Sequence, residues 1–253
     1  MDARQPTRTP QRGAGAPSPA ERARTVATCA TACVHALGQG TAPLLAATTT
    51  AGGEVLLVVP RSGGLADAVR RSPLGDLPAR LTVTRRSALP LRDPVRGRLE
   101  LAGWLTPVAP PAEATLVLDF AEACAADVLL DVGLTATLLR LDVAEVLLEE
   151  HGSCTPIEPE DFVAARPDPL AVDEADLLGE HAGPLAELGA RVRLWAGEDD
   201  GVHLLGLDRS GVLFRVECPA AHYYDLRVPF PANVTDRSGV GPALAELLRC
   251  APA

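Results

Sequence analysis

The segment Val202–Pro231, VHLLGLDRSGVLFRVECPAAHYYDLRVPFP, restricts this chain more than any other stretch of it. Val212, Phe214 and Val216 fall on one side of an extended backbone, and Leu213, Arg215 and Glu217 fall on the other. Further on, Tyr224, Leu226, Val228 and Phe230 alternate with Tyr223, Asp225 and Arg227. A period of two with one apolar side marks a half-buried antiparallel sheet. Asp208-Arg209-Ser210-Gly211 suits a hairpin loop, with Asp opening the turn and Gly tolerating positive φ. Cys218-Pro219-Ala220-Ala221 reverses the chain again. Pro229 and Pro231 end the third strand, because proline cannot donate to a ladder.

The 253 residues suffice for one large domain or two smaller ones. Residues 1–19 are rich in Pro, Gly, Arg and Thr and read as a disordered tail. A helix is expected from Pro19 or Ala20 through AERARTVATCA. Three strands follow between Thr31 and Pro60, turning at Gly38-Gln39-Gly40 and Ala51-Gly52-Gly53. Leu65–Arg71 reads as a short helix, and Arg80–Arg86 and Val95–Leu105 as strands. Pro110 and Pro111 open a helix in PPAEATLVLDFAEACA. Ala136–Leu141 and Glu145–Glu150 read as two strands, and Pro159–Ala165 as a short helix. The stretch RPDPLAVDE, 166–174, is the expected domain boundary. Beyond it come a helix near 173–189, with a kink or restart expected at Gly183-Pro184, the three strands, and a helix from about Pro242 to Arg249 with Leu244, Leu247 and Leu248 on one face. Many short strands with interleaved helices predict an α+β fold, with a small antiparallel barrel first and a helix–meander–helix unit second.

Every one of the 23 basic residues is arginine. A chain without lysine has no Schiff-base lysine and no phosphate-loop lysine. It also carries no GxSxG, HExxH or Walker pattern. Its six cysteines form no CxxC pair, which points to reduced structural thiols. The net charge of −10 is uneven: residues 21–110 hold 11 Arg against 6 acids, and residues 111–253 hold 9 Arg against 26 acids. Such an acidic surface disfavours nucleic acid as a partner. No apolar run reaches the roughly 18 residues of a membrane span, and the first residues lack a signal-like apolar core. A cytoplasmic protein that does not enter the membrane is expected.

The order of helices and hairpin-linked strands resembles the FMN-binding split barrel of pyridoxamine phosphate oxidase-like proteins. The segments EVLLEEHGSCTPIEPEDFVAARPDPL, GEHAGPLAEL, LLGLDRSGVLFRV and YYDLRVPFP are similar to the uncharacterised domain that follows the split barrel in HugZ-type haem-utilisation proteins. A plant protein of this architecture binds glutamyl-tRNA reductase and haem. The resemblance spans about residues 20–251. It implies an antiparallel split barrel over 20–166 and a HugZ-type α+β domain over 173–253. It also implies haem or FMN as cofactor and a homodimer. Of the histidine pair found in many relatives, only the second is matched here, by His181; Asp176 stands at the first. The last residues, Cys250-Ala-Pro-Ala, lack the haem-binding histidine of HugZ-type oxygenases. Binding without robust haem degradation is therefore expected, and whether the chain is an enzyme stays open. The alternative is a non-enzymatic interaction or regulatory module in tetrapyrrole metabolism that docks a protein partner on its acidic second part.

Alternation places Arg80, Thr82, Thr84 and Arg86 on one face of their strand, and Arg96, Arg98 and Glu100 on one face of the next. Guanidinium forks and hydroxyls suit a phosphate or a haem propionate. The same pattern also marks the solvated outside of a barrel, which is the commoner case. His181 shares a helical stripe with Leu178, Leu185 and Leu188; it is either a haem ligand or, more often at such positions, a packed structural histidine. His222 beside Tyr223 and Tyr224 suits stacking on a flat cofactor or partner, or is simply a strand edge. His35 and His151 have no partner at metal-ligand spacing.

Overall fold

The computed structural model describes residues 15–28, 31–150, 152–219 and 222–250. Most of the tail expected over 1–19, together with Cys29, His151 and the Ala220-Ala221 reversal, lies outside those residues. Helix α1, Pro19–Thr28, starts on a reciprocal cap. The Glu21 carboxylate accepts from the Ser18 amide at 2.7 Å, and the Ser18 hydroxyl accepts from the Glu21 amide at 3.2 Å. Strands β1 (Thr31–Ala36), β2 (Gly40–Ala42), β3 (Ala46–Thr49) and β4 (Val55–Pro60) follow. Four strands thus stand where three were expected, because Gly38 and Gly40, at φ 72° and 64°, fold β1 and β2 into a tight hairpin.

Helix α2, Gly64–Arg71, leads to β5 (Leu77–Arg86) and β6 (Val95–Pro107). Helix α3, Pro110–Ala123, and a 3-10 turn at Asp127–Asp131 precede β7 (Ala136–Glu150), β8 (Ser153–Ile157) and α4 (Pro159–Ala164). These strands form one curled antiparallel sheet, ordered β2-β1-β5-β6-β7-β4-β3, with β8 added along β7. The two strands expected between 136 and 150 are a single strand. Ala102 pairs with Glu145 and Gly103 with Val143, so Ala144 is an extra, bulged residue. The bulge shifts the inward set from Leu139, Leu141 and Val143 to Val146 and Leu148. Gly103 is required opposite it, since a Cβ there would lie 2.0 Å from the Asp142 carbonyl oxygen. Strand β8 was not anticipated.

The concave side of the sheet packs Val34, Leu57, Val83, Leu99, Leu101 and Leu148 against Ala23, Val26, Leu65 and Phe162 of α1, α2 and α4. Across β4, Leu56 and Val58 turn the other way, towards Leu116 and Phe120 of α3. That two-sided burial explains why β4 is an unbroken apolar run.

The remainder holds α5 (Glu174–Glu180), α6 (Ala182–Arg193), β9 (Gly201–Asp208), β10 (Gly211–Glu217), β11 (Tyr223–Pro229) and α7 (Val240–Cys250). The helix expected over 173–189 is broken at His181, and Pro184 falls in the first turn of α6, where a missing amide costs nothing. The meander forms a three-stranded antiparallel sheet, β11-β10-β9. Val212, Phe214 and Val216 pack against Leu177, Leu185, Leu188 and Leu244 of the helices. The opposite side, expected to face water, is covered as well: Leu213 and Arg215 are buried, and the Ser87 hydroxyl donates to the Leu205 carbonyl at 2.9 Å. The meander therefore lies between its own helices and the curled sheet. The whole is an α+β protein.

Candidate functional site

Two polar regions emerge. The first is the convex face of β1, β5, β6 and β7. Arg80 stands opposite His35 on β1, Thr82 between Cys33 and Glu100, and Thr84 between Thr31 and Arg98, with Glu149 beyond Arg98. Arg80 pairs with Glu100 at 3.3 Å and Arg98 with Glu149 at 3.7 Å, all four side chains being about half exposed. The His35 ring and the Thr41 hydroxyl share a 2.8 Å hydrogen bond. Four of the eight sequence candidates, Arg80, Thr82, Thr84 and Arg98, thus share one accessible face. Arg86 is exposed at the end of β5, where it pairs with Val95.

Arg96 goes elsewhere. Arg85 pairs with Gly97 and Arg86 with Val95, so Arg96 is a bulged residue without a cross-strand partner. The bulge turns its side chain away from Arg98 and into the seam between the two sheets. There the Arg96 guanidinium donates to both Glu174 oxygens, at 2.6 and 2.7 Å, and Arg85 donates to one of them at 2.7 Å. The Leu207 amide donates to the same carboxylate at 2.8 Å. Gly206 makes room for this cluster: a Cβ there would lie 2.3 Å from Glu174 Oε1 and 2.4 Å from an Arg96 nitrogen.

The seam continues on either side. Arg209 donates to Glu21 at 2.7 Å, Arg22 to Glu150 at 2.8 Å, and Arg227 to Asp208. Asp168 accepts from the backbone amides of Leu170 and Arg209 at 2.9 and 3.0 Å, while its own amide donates to Thr25 at 2.8 Å. Arg215 grips Asp225 through two bonds of 2.7 and 2.9 Å, both side chains being 2% exposed. It also donates to the carbonyls of Asp93, in the loop before β6, and of Val95, the first residue of β6. The Tyr223 ring lies 4.1 Å from the Arg215 guanidinium carbon, and its hydroxyl donates to Asp93 at 3.1 Å.

Burial pushes the Glu174 carboxyl up, but Arg96 and Arg85 more than offset this and hold it below its usual value. Burial likewise opposes ionisation of Asp208, and Arg227 together with the Ser210 hydroxyl and amide outweighs it. Asp168 differs. Burial dominates there, so its carboxyl is raised despite the two amides. Burial also pushes the Tyr223 hydroxyl up, with help from its bond to Asp93.

Two small cavities open along the seam. One of about 120 Å³ is bounded by Asp93, Arg98, Glu149, Arg215 and Tyr223. The other, of about 60 Å³, lies among Arg22, Arg85, Asp168, Asp208 and Arg227. Drug-sized ligands occupy pockets of roughly 300 Å³ or more, so neither encloses a haem or a flavin.

His181 caps the break between α5 and α6, half buried, against Gly241 of α7. His222 is exposed just before β11, its carbonyl accepting from the Cys218 amide at 2.8 Å. Neither histidine lies on the curled sheet with the arginines. Among the described residues no three His, Cys, Asp or Glu side chains gather as a metal site. Sequence reasoning missed Arg85, Glu174, Asp168, Asp208 and Arg227. The one available signal was Glu174 and Asp168 inside a segment read as a linker.

No family model and no curated protein matches the chain. Solved structures do. The heme binding protein from Mycobacterium smegmatis aligns with a TM-score of 0.62 at 23% identity, over 92% of this chain and 97% of that one. A protein of unknown function from Agrobacterium tumefaciens aligns at 19% identity over 96% and 100% of the two chains, with a TM-score of 0.41. A Clostridium acetobutylicum protein of the pyridoxinephosphate oxidase family, related to general stress protein 26, aligns at 10% identity over 56% and 94%, with a TM-score of 0.35. The first likeness spans both sheets and shows a shared fold: a curled half-barrel sheet carrying a second, three-stranded one. Among the described residues no helix is long and apolar enough to cross a membrane.

Proposed function

We propose that this chain is a haem- or flavin-binding split-barrel protein that works as a homodimer. In this reading residues 20–166 form the split barrel and residues 173–253 a HugZ-type accessory domain. The observation that carries it is the fold shared, over nearly the whole length, with a heme binding protein. The convex face of the barrel supplies suitable chemistry. Arg80 and Arg98 are exposed cations, and Thr82 and Thr84 stand between them as hydroxyl donors. Such a set suits a flavin phosphate or a haem propionate. When bound, the cofactor supplies a redox-active ring system; the chain holds its anionic end and orients it.

The ring itself needs more room than either of the two seam cavities provides. A second copy laid over the convex face would enclose it, which is why the reading includes a homodimer. Arg86, His181 and His222 remain further candidates for contact with the cofactor. The proposal is one of binding, and robust degradation of haem forms no part of it. Unpaired thiols at Cys33, Cys124, Cys154 and Cys218 favour a reducing, cytoplasmic setting.

The test is an absorption spectrum of the purified chain before and after adding haem and FMN separately, with sedimentation to count the copies. A shifted Soret band or retained flavin, saturating at a fixed ratio to protein, is the expected result. Without a Soret shift, retained flavin or a saturable titration, the reading fails. A second reading, a protein-docking module, is favoured by the exposed apolar residues at the end of α6.

A further inference from the structure

Helix α6 ends in two adjacent large apolar residues that lie in water. Leu194 is 75% exposed and Trp195 74% exposed, and Trp195 is one of only two tryptophans in the chain. They are not part of a frayed end. The Leu194 amide donates to the Arg191 carbonyl at 3.1 Å, and the Trp195 amide to the Val192 carbonyl at 3.0 Å. The next turn is closed on both sides: Gly197 donates to the Asp200 carboxylate at 2.9 Å, and the Asp200 amide to the Gly197 carbonyl at 3.0 Å. The pair is therefore presented on a pinned loop. Ordering it has already been met in folding, so binding through it loses little conformational freedom.

Charge shows what it fits. Glu198 and Asp199, which follow Trp195 in that pinned turn, are exposed, and Asp200 is half buried. Of the nearby cations, Arg191 is held by Glu187 at 2.8 Å and by the Leu248 carbonyl at 2.6 Å. Arg193 is exposed and offsets part of the acidic charge. The surface belongs to the half of the sequence with 26 acids against 9 arginines. An anionic lipid surface would be repelled by these carboxylates.

We propose that Leu194 and Trp195, with Glu198 and Asp199 as their rim, form a docking site for a partner protein. That partner presents an apolar pocket ringed by arginine or lysine. Tryptophan is among the residues that most often form binding hot spots, and complementary charge around it steers and registers the partner. The site is on the meander side and stands whether or not the barrel takes haem or flavin.

The experiment uses the full chain, Trp195→Ala, and Glu198→Gln/Asp199→Asn as baits in lysate of the source cells. Each changed side chain is exposed, and unchanged melting curves confirm intact folds. A protein retained by the wild type and lost from Trp195→Ala is identified, purified and titrated by calorimetry; retention alone does not count. The expected result is an affinity about tenfold or more weaker for Trp195→Ala. A several-fold loss is expected for the acid pair and on raising salt. The proposal is overturned if no protein distinguishes the baits, or if the purified protein binds Trp195→Ala as well as wild type. It is also overturned if Trp195 instead drives self-association in sedimentation or binding to anionic vesicles.

Discussion

The Arg96 guanidinium meets both carboxylate oxygens of Glu174, at 2.6 and 2.7 Å, across the seam between the curled sheet and the meander. The contact depends on one extra residue in β6 and one missing side chain in β9. The bulge at Arg96 aims the cation inward, and Gly206 leaves the space it enters. Arg85 adds a second cation, so a single buried carboxylate answers two arginines.

Removing that carboxylate leaves two buried cations facing one another. Glu174→Gln is expected to destabilise the chain by about 3–5 kcal/mol. For a chain of this size that lowers the melting temperature by roughly 6–20 °C in calorimetry. Replacing Arg85, Arg96 and Glu174 together with apolar residues of similar volume should recover most of the loss. Acid should act on the same group. Its folded pKa lies below the usual 4.5, so its contribution is present above that value. It is lost as pH falls through the folded pKa. Asp208 has the same sign, while Asp168, raised by burial, partly opposes them as it takes up its proton. Stability against pH in the wild type should fall steeply below about 4.5, and more shallowly in Glu174→Gln. Parallel curves for the two proteins would show that Glu174 carries no such linkage.

Two glycines make a matched pair. Gly206→Ala puts a methyl group 2.3 Å from Glu174 Oε1, and the neighbour it meets is pinned by three donors. A loss of about 1–3 kcal/mol is expected. Gly179 lies within α5 with nothing within 4 Å of an added Cβ. Gly179→Ala should stabilise the chain by about 0.5–1 kcal/mol through helix propensity and a less free unfolded state. Urea melts of both variants measure the two signs. A neutral Gly206→Ala would mean that the clamp has slack.

Tyr223 can be followed on its own, because the chain has only two tyrosines. In a Tyr224→Phe background, an ultraviolet titration should show phenolate forming above the usual 10, first from burial and then from the bond to Asp93. Asp93→Asn should bring that transition down. A Tyr223 transition at the ordinary position with Asp93 in place would contradict the hydrogen bond.

The meander was legible because its turns and its alternation agree: β9, β10 and β11 begin and end within about a residue of where proline and glycine require. What alternation could not show was the second face. Arg215 follows Leu213 and precedes Glu217 as a solvent-facing residue would, yet the start of β6 and the loop before it cover it and supply two carbonyl acceptors. Bulges defeated the period-two reading in the other sheet. A strict count puts Arg96 with Arg98, and it divides β7 at Asp142–Ala144, because each extra residue reverses the parity of those beyond it. Glu174 looked like part of an acidic linker, since its two arginines lie 78 and 89 residues away in sequence. The convex-face residues Arg80, Thr82, Thr84 and Arg98 came out together because no bulge intervenes among them.

Those convex-face arginines separate cofactor binding from structural support. Each is about half exposed and only loosely paired, so Arg80→Gln/Arg98→Gln should shift stability by no more than about 1 kcal/mol. If they hold the phosphate or propionate of a cofactor, the double variant loses charge-assisted hydrogen bonds worth about 1.5–3 kcal/mol each. Affinity for haem or FMN should then fall at least tenfold. Arg96→Gln should do the reverse: it breaks the buried clamp and lowers the melting temperature, while affinity per folded molecule stays close to wild type. Spectroscopic titration and a thermal melt on the same samples give both readings. Full affinity in Arg80→Gln/Arg98→Gln would remove the convex face as the cofactor site.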